Sequence, residues 1–144
     1  MADMELDTAA GRFAGVDLQS LAEREGTPLY AYSAPAIRAR VRALQAALAG
    51  LDAGICYAVK ANGNGAVLHL LAEQGVGADI VSGGELQRAL RAGIPAERIV
   101  FSGVGKSDAE IALALQVGIA RFNVESRAEL DTLQRIAAAR DGVA

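Results

Sequence analysis

From about Gly54 onward the chain alternates short apolar runs with amphipathic stretches, and no other feature restricts its fold so tightly. Residues 55–60, 78–81, 98–101 and 119–123 read as strands. Each precedes a stretch with helical spacing. These are 65–74, with Val67, Leu70 and Leu71 on the core side; 83–92, with Leu86 and Leu90; 107–117; and 127–140, with Leu130, Leu133 and Ile136. The units recur about every 20 residues, the length that a short strand, a helix and two tight loops need. Such alternation predicts an α/β fold with a parallel sheet and right-handed crossovers. The four units suit the first half of an eight-stranded TIM-type barrel or part of an open doubly wound sheet. An open half leaves two sheet edges unpaired, so we expect the front portion of a longer protein.

The segment before Gly54 is less regular. Residues 1–15 have no clear period and read as a loose leader. Asp17 can cap a short helix running to about Glu25, with Leu18, Leu21 and Ala22 on one side and Gly26 as its stop. Residues 27–33 read as a strand entered at Pro28. Ser33 and Pro35 then open a helix with Ile37, Val41, Leu44 and Leu48 on one face, ended by Gly50.

Composition excludes several function classes. The net charge is −3 and Lys and Arg form no stripe with interleaved aromatics, which argues against a nucleic-acid surface. No apolar run reaches membrane-span length, and residues 1–15 lack the basic-then-apolar pattern of a signal peptide. Cys56 is the single cysteine, so no internal disulfide forms. Placed in an expected buried strand, it reads as a small core residue of a reduced, cytoplasmic protein. His69 is the lone histidine and reads as a helix residue at the core edge; no Cys/His cluster offers a metal site.

Lys60 is the first functional candidate. It closes the expected strand 55–60 and is followed by the turn cluster Asn62-Gly63-Asn64-Gly65. An ammonium at the end of a buried strand loses hydration unless it is paired, neutralised or used. The C-terminal strand ends are also where parallel α/β folds carry out chemistry. The competing reading is a lysine that snorkels to solvent. Asp79 is the second candidate. It sits in an apolar strand, where a carboxylate needs a cationic or donor partner, and Lys60 one strand earlier is the obvious one. The alternative is an aspartate at the sheet rim bonded to a loop amide. Gly63, Gly65, Gly83, Gly84, Gly103 and Gly105 fall in loops after the strands, where a ligand could approach the backbone.

Three helix starts repeat Ser-x-x-Glu: Ser82 to Glu85, Ser107 to Glu110 and Ser126 to Glu129. This is the reciprocal capping box, and its repetition favours capping over catalysis for Glu85. Gly105-Lys106-Ser107 suggests a phosphate-binding loop, but the first glycine of that pattern would fall at Val100, so ATP binding is rejected.

Tyr57-Ala58-Val59-Lys60-Ala61-Asn62, then Gly77-Ala78-Asp79-Ile80-Val81-Ser82-Gly83-Gly84-Glu85-Leu86, then Ile99-Val100-Phe101-Ser102-Gly103-Val104-Gly105-Lys106, then Phe122-Asn123-Val124-Glu125-Ser126 closely resemble the bacterial diaminopimelate decarboxylases in content, order and spacing. Gly26-Thr27-Pro28-Leu29-Tyr30 resembles that family's lead-in. The resemblance implies a barrel-type enzyme dependent on pyridoxal 5′-phosphate, with Lys60 forming the Schiff base and Asp79 near the cofactor. It implies that residues 1–33 form a leader, a short helix and a strand belonging to a β-domain. Residues 34–144 would then be part of the cofactor-binding barrel. It also implies decarboxylation of meso-diaminopimelate to L-lysine by a homodimer with active sites at the subunit interface. One local departure is Gly63-Asn64-Gly65, where the family usually has Ser-Asn-Leu. The family's downstream phosphate-binding loop and substrate-binding β-domain have no counterpart here, so the chain alone is expected to be inactive. Rival readings are a related decarboxylase of ornithine, arginine or carboxynorspermidine, and a non-catalytic truncated relative. Alanine racemase fits less well, because its lysine is followed by Ala-Asp-Ala-Tyr-Gly.

Overall fold

The computed structural model describes residues 6–7 and 10–140, which divide between Ala49 and Gly50 into two compact units. The first unit opens with an antiparallel meander of β1 (Leu6–Asp7), β2 (Arg12–Phe13) and β3 (Val16–Asp17). Within the loose leader expected over residues 1–15, residues 6–7 and 12–13 are strands and 14–15 a tight turn instead; residues 1–5 and 8–9 lie outside the described residues. Ala14 and Gly15 both have positive φ, 50° and 81°, the backbone of a type I′ hairpin turn. The Arg12 guanidinium donates to Gly15 O at 2.8 Å and braces that turn.

α1 (Leu18–Glu25) starts where expected, with Asp17 accepting from Ser20 N at 2.8 Å. It ends at Gly26, whose φ of 84° stops the helix without a Cβ clash. Residues 27–33 form neither helix nor strand, against the expectation. Their β-forming side chains have no neighbouring strand among the described residues, and Tyr30 is 86% exposed. α2 (Ala34–Ala47) is capped by Ser33, whose hydroxyl accepts from Ala36 N at 3.2 Å, with Pro35 in its first turn.

The second unit is the regular part. A parallel sheet runs β4 (Cys56–Ala58), β5 (Gly77–Ile80), β6 (Ile99–Phe101) and β7 (Arg121–Phe122), in sequence order. Between and after the strands lie α3 (Gly65–Glu73), α4 (Gly83–Arg91), α5 (Asp108–Val117) and α6 (Arg127–Arg140). In register, Tyr57 pairs with Ala78 and Ala58 with Asp79, then Asp79 with Val100 and Val100 with Arg121. Paired residues share a face, and the faces alternate along each strand.

One face is covered. Ala78, Ile80, Ile99 and Phe101 pack with Leu68, Leu86, Ala89 and Ala114 of the helices, all fully buried. Tyr57 and Phe122 flank them, and the Phe101 and Phe122 rings stack at 6.0 Å. The other face carries Cys56, Ala58, Asp79, Val100 and Arg121, half-buried or exposed. Cys56 is thus not the core residue expected. Among the described residues β4 has only one neighbouring strand, and the side of it that bears the thiol is uncovered.

The strands are shorter than the apolar runs suggest. The run 119–123 yields only Arg121–Phe122, because Gly118 (φ 74°) caps α5 in the left-handed region and the chain turns before entering the sheet. In α3 the buried stripe is centred on Leu68, which is fully buried while Val67 is only half so. Gly77 is glycine for a packing reason: a Cβ there would run into the Arg98 carbonyl oxygen.

Candidate functional site

Lys60 does not lie on the strand. β4 ends at Ala58, and residues 59–61 form a single 3-10 turn that carries Lys60 beyond it. Val59 plugs the core at 1% exposure and fixes the turn, leaving Lys60 exposed. The cluster after it is ordered by its asparagines. Asn62 Oδ1 accepts from Asn64 N at 3.0 Å, and Asn64 Oδ1 accepts from Ala66 N at 2.9 Å to cap α3.

Of the chain's two lysines, Lys60 and Lys106, only the first has an uncommitted amine. Lys60 Nζ makes no hydrogen bond or ion pair among the described residues. Lys106 has a side chain only 1% exposed, and its three N–H bonds match three acceptors: Gly103 O at 2.7 Å, Asn123 O at 2.9 Å and Glu129 Oε1 at 2.7 Å. Its ammonium also stands 5.6 Å from the Phe101 ring centroid, within cation–π range. An amine held this way cannot act as a nucleophile.

Asp79 sits on the uncovered face as a half-buried residue, and its partner is not Lys60. Ser102 Oγ donates to Asp79 Oδ1 at 2.5 Å, and Asn123 Nδ2 donates to Ser102 Oγ at 3.0 Å. The partner expected from sequence is displaced because the 3-10 turn rotates Lys60 out of the strand alternation. Ser102 stays on the ladder, with Ser102 N donating to Ile80 O at 2.8 Å. Sequence reasoning missed Ser102 and Asn123 as site residues. The available signal was positional: each directly follows the phenylalanine that ends its strand, Phe101 or Phe122, and those two phenylalanines are in register. Cys56 shares this face. Desolvation of its sulfur and then the Asp79 carboxylate push the thiol up, against a smaller pull from Arg121.

The three Ser-x-x-Glu starts behave differently from one another. Only Ser107 and Glu110 close the reciprocal box. Ser82 Oγ accepts from Glu85 N at 3.2 Å, but the Glu85 carboxylate accepts from Val81 N at 2.7 Å instead of the cap amide. Ser126 Oγ accepts from Glu129 N at 3.1 Å, while the Glu129 carboxylate is spent on Lys106. Glu110 serves two helices. Its Oε1 accepts from Gly83 N at 2.7 Å at the start of α4, and its Oε2 from Ser107 N at 3.0 Å. These amides, Gly83 first, hold its carboxyl below the usual glutamate range. The rim is therefore stitched by carboxylates, and Glu85 holds the loop amide of Val81 rather than closing the capping box expected of it.

A solitary exposed amine with no competing partner is the donor a carbonyl cofactor needs, so the residues present fit an aldehyde such as pyridoxal phosphate. The description of a pyridoxal-dependent decarboxylase, pyridoxal binding domain, matches residues 34–143. The diaminopimelate decarboxylase of Aquifex aeolicus is 56% identical over 123 residues, which are 85% of this chain and 29% of that protein. That of Pseudomonas aeruginosa is 54% identical over 124 residues, 86% of this chain and 30% of that protein. The crystal structure of diaminopimelate decarboxylase from Helicobacter pylori complexed with L-lysine superposes with a TM-score of 0.83 at 47% identity, covering 86% of this chain and 32% of that one. The chain thus spans about a third or less of the length of the relatives it matches. Its four strand–helix units are the N-terminal part of the barrel those decarboxylases share. By sequence and by fold, the chain belongs to the pyridoxal-dependent decarboxylase family.

Proposed function

We propose that this chain is the cofactor-anchoring N-terminal part of a decarboxylase that converts meso-diaminopimelate to L-lysine with pyridoxal 5′-phosphate. The observation that carries the reading is the contrast between the two lysines: Lys106 is buried with every proton engaged, and Lys60 is exposed with none. Lys60 would supply the amine that holds the cofactor aldehyde. The bound cofactor supplies the electron sink that makes loss of the carboxylate as carbon dioxide feasible. Asp79 presents its carboxylate to the cofactor from the uncovered sheet face. The parts of the relatives beyond the matched third complete the site, so this chain alone does not turn over. The complete enzyme is a cytoplasmic homodimer. The substrate assignment draws on the names of the relatives, one of which was crystallised with L-lysine.

The test is covalent trapping. The chain is mixed with pyridoxal phosphate, reduced with borohydride and digested for peptide mapping. Label on the Lys60 peptide, absent in Lys60→Ala, is the expected result. Label on Lys106 would remove Lys60 from its role, and no label would favour a chain that does not hold the cofactor by itself. In the full-length protein, Lys60→Ala abolishes carbon dioxide release from meso-diaminopimelate. Faster turnover of ornithine or arginine than of meso-diaminopimelate would overturn the substrate.

A further inference from the structure

The ends of three adjacent strands, β5, β6 and β7, are joined by a hydrogen-bond chain with a fixed direction. Asn123 begins it, and its backbone is held at both ends. Its N–H donates to Phe101 O at 2.9 Å, and its carbonyl accepts from the buried Lys106 ammonium at 2.9 Å. From that fixed position its side-chain amide donates to Ser102 Oγ at 3.0 Å. An amide N–H₂ group can only donate, so the Ser102 hydroxyl accepts there and must spend its single proton elsewhere. It spends it on Asp79 Oδ1. Ser102 is itself fixed by its own N–H on Ile80 O, so the hydroxyl has one rotamer that satisfies both neighbours. The chain crosses from β7 past β6 to β5, and none of these residues is a caps or core residue.

We infer that Ser102, oriented by Asn123, is a positioning residue that holds the Asp79 carboxylate in one orientation toward the cofactor. This rests on the reading of Asp79 as a cofactor-facing group. An aspartate on a half-buried strand has a free χ2 torsion, and without a directional donor its two oxygens exchange places. The Ser102 hydroxyl engages Oδ1, and Oδ2 accepts no hydrogen bond among the described residues. Lys106 then has a task besides stability: through the Asn123 carbonyl it fixes the origin of the chain.

The test uses the full-length protein loaded with pyridoxal phosphate, in wild-type form and as Asp79→Asn, Ser102→Ala, Ser102→Thr and the Asp79→Asn/Ser102→Ala double variant. Two readouts are taken: the visible circular dichroism of the bound cofactor, which reports its orientation in the site, and cofactor affinity by equilibrium dialysis. Asp79→Asn is expected to change the dichroism. Ser102→Ala is expected to change it in the same direction and to weaken the cofactor by roughly tenfold, the worth of one hydrogen bond to a charged group. Ser102→Thr keeps the hydroxyl and restores both readouts, and the double variant goes no further than Asp79→Asn. A merely structural role for Ser102 would lower the melting temperature and leave the dichroism as in wild type. An unchanged signal in Ser102→Ala beside a changed one in Asp79→Asn overturns the positioning role and leaves the reading of Asp79 standing. An unchanged signal in Asp79→Asn overturns both. Additive effects in the double variant show that Ser102 acts independently of Asp79, which also overturns the inference.

Discussion

Replacing Lys106 by methionine tests the most deeply buried polar contact described here. The change keeps the apolar stem over Phe101 and deletes the ammonium. What remains is the Glu129 carboxylate, in a side chain only 10% exposed, without its cation. Removing one member of a buried ion pair costs about 3–5 kcal/mol, because the survivor stays charged and desolvated. The carbonyls of Gly103 and Asn123 add less, since Gly103 is half-buried and Asn123 exposed, and water can replace the lost donor. Equilibrium urea unfolding should show a loss in this range, with a melting temperature lower by roughly 10–15 °C for a chain this size. The mechanism is checked by a second change. In Lys106→Met/Glu129→Met both charges are gone, and stability should return to within about 1 kcal/mol of wild type, since apolar replacement of a whole buried pair is commonly neutral or better. A single variant that costs less than about 1 kcal/mol would mean that Glu129 finds water. A double variant no better than the single would place the loss in the carbonyls or the packing. Either result refutes the uncompensated-charge argument.

Other expectations follow from single contacts. Glu110 is held in its charged form by the Gly83 and Ser107 amides, so its contribution is present above the ordinary glutamate range and is lost as pH falls through its lowered folded value. Acid unfolding of Glu110→Gln should therefore show a shallower decline than wild type in that window; parallel curves would remove Glu110 from the linkage. Gly77→Ala should destabilise the second unit by about 1–3 kcal/mol in urea unfolding, because the new Cβ meets backbone at Arg98 that cannot step aside. Leu68→Ala should cost about 2–5 kcal/mol in the same assay, while Val67→Ala, at a half-buried neighbour, should cost markedly less. Ala14→Asn should stabilise the meander by about 0.5–1 kcal/mol, because asparagine tolerates the positive φ that alanine adopts there. Amide exchange at Phe13 would report it.

The second unit was legible because each strand–helix unit passes from a short apolar run to helical spacing, and glycines mark the changes. The places where reading failed share a cause. β1 to β3 are two residues each, too short to show any period, and their turn hides behind an alanine. Residues 27–33 have strand-forming side chains, but a strand is a relation between two segments, and the second is absent among the described residues. Cys56 was misjudged for the same reason. Its run is as apolar as that of a strand buried on both faces, yet only the neighbours of a strand decide how many of its faces are covered.

At the site, sequence could say that a buried carboxylate and a strand-end lysine each need a partner, but not which. Asp79 and Lys60 look matched in the chain because they sit near the ends of adjacent strands. Two residues past the Ala58–Asp79 rung, however, the backbone has already entered a 3-10 turn. Two residues past the Asp79–Val100 rung it is still on the ladder, and there stands Ser102. A local change of backbone type thus decides which side chain reaches the carboxylate. The same holds for the three Ser-x-x-Glu starts, identical as local patterns and different in outcome. Glu110 turns back on its own cap, Glu85 on its own loop, and Glu129 on a lysine 23 residues away. These choices have one chemical result. Asp79 is satisfied by a hydroxyl and Glu129 by the buried lysine, while the carboxylates of Glu85 and Glu110 are satisfied by backbone amides. Among the described residues, none of these four carboxylates pairs with Lys60. An amine can act as a nucleophile only when free of such a partner, and each of these four carboxylates holds something other than Lys60.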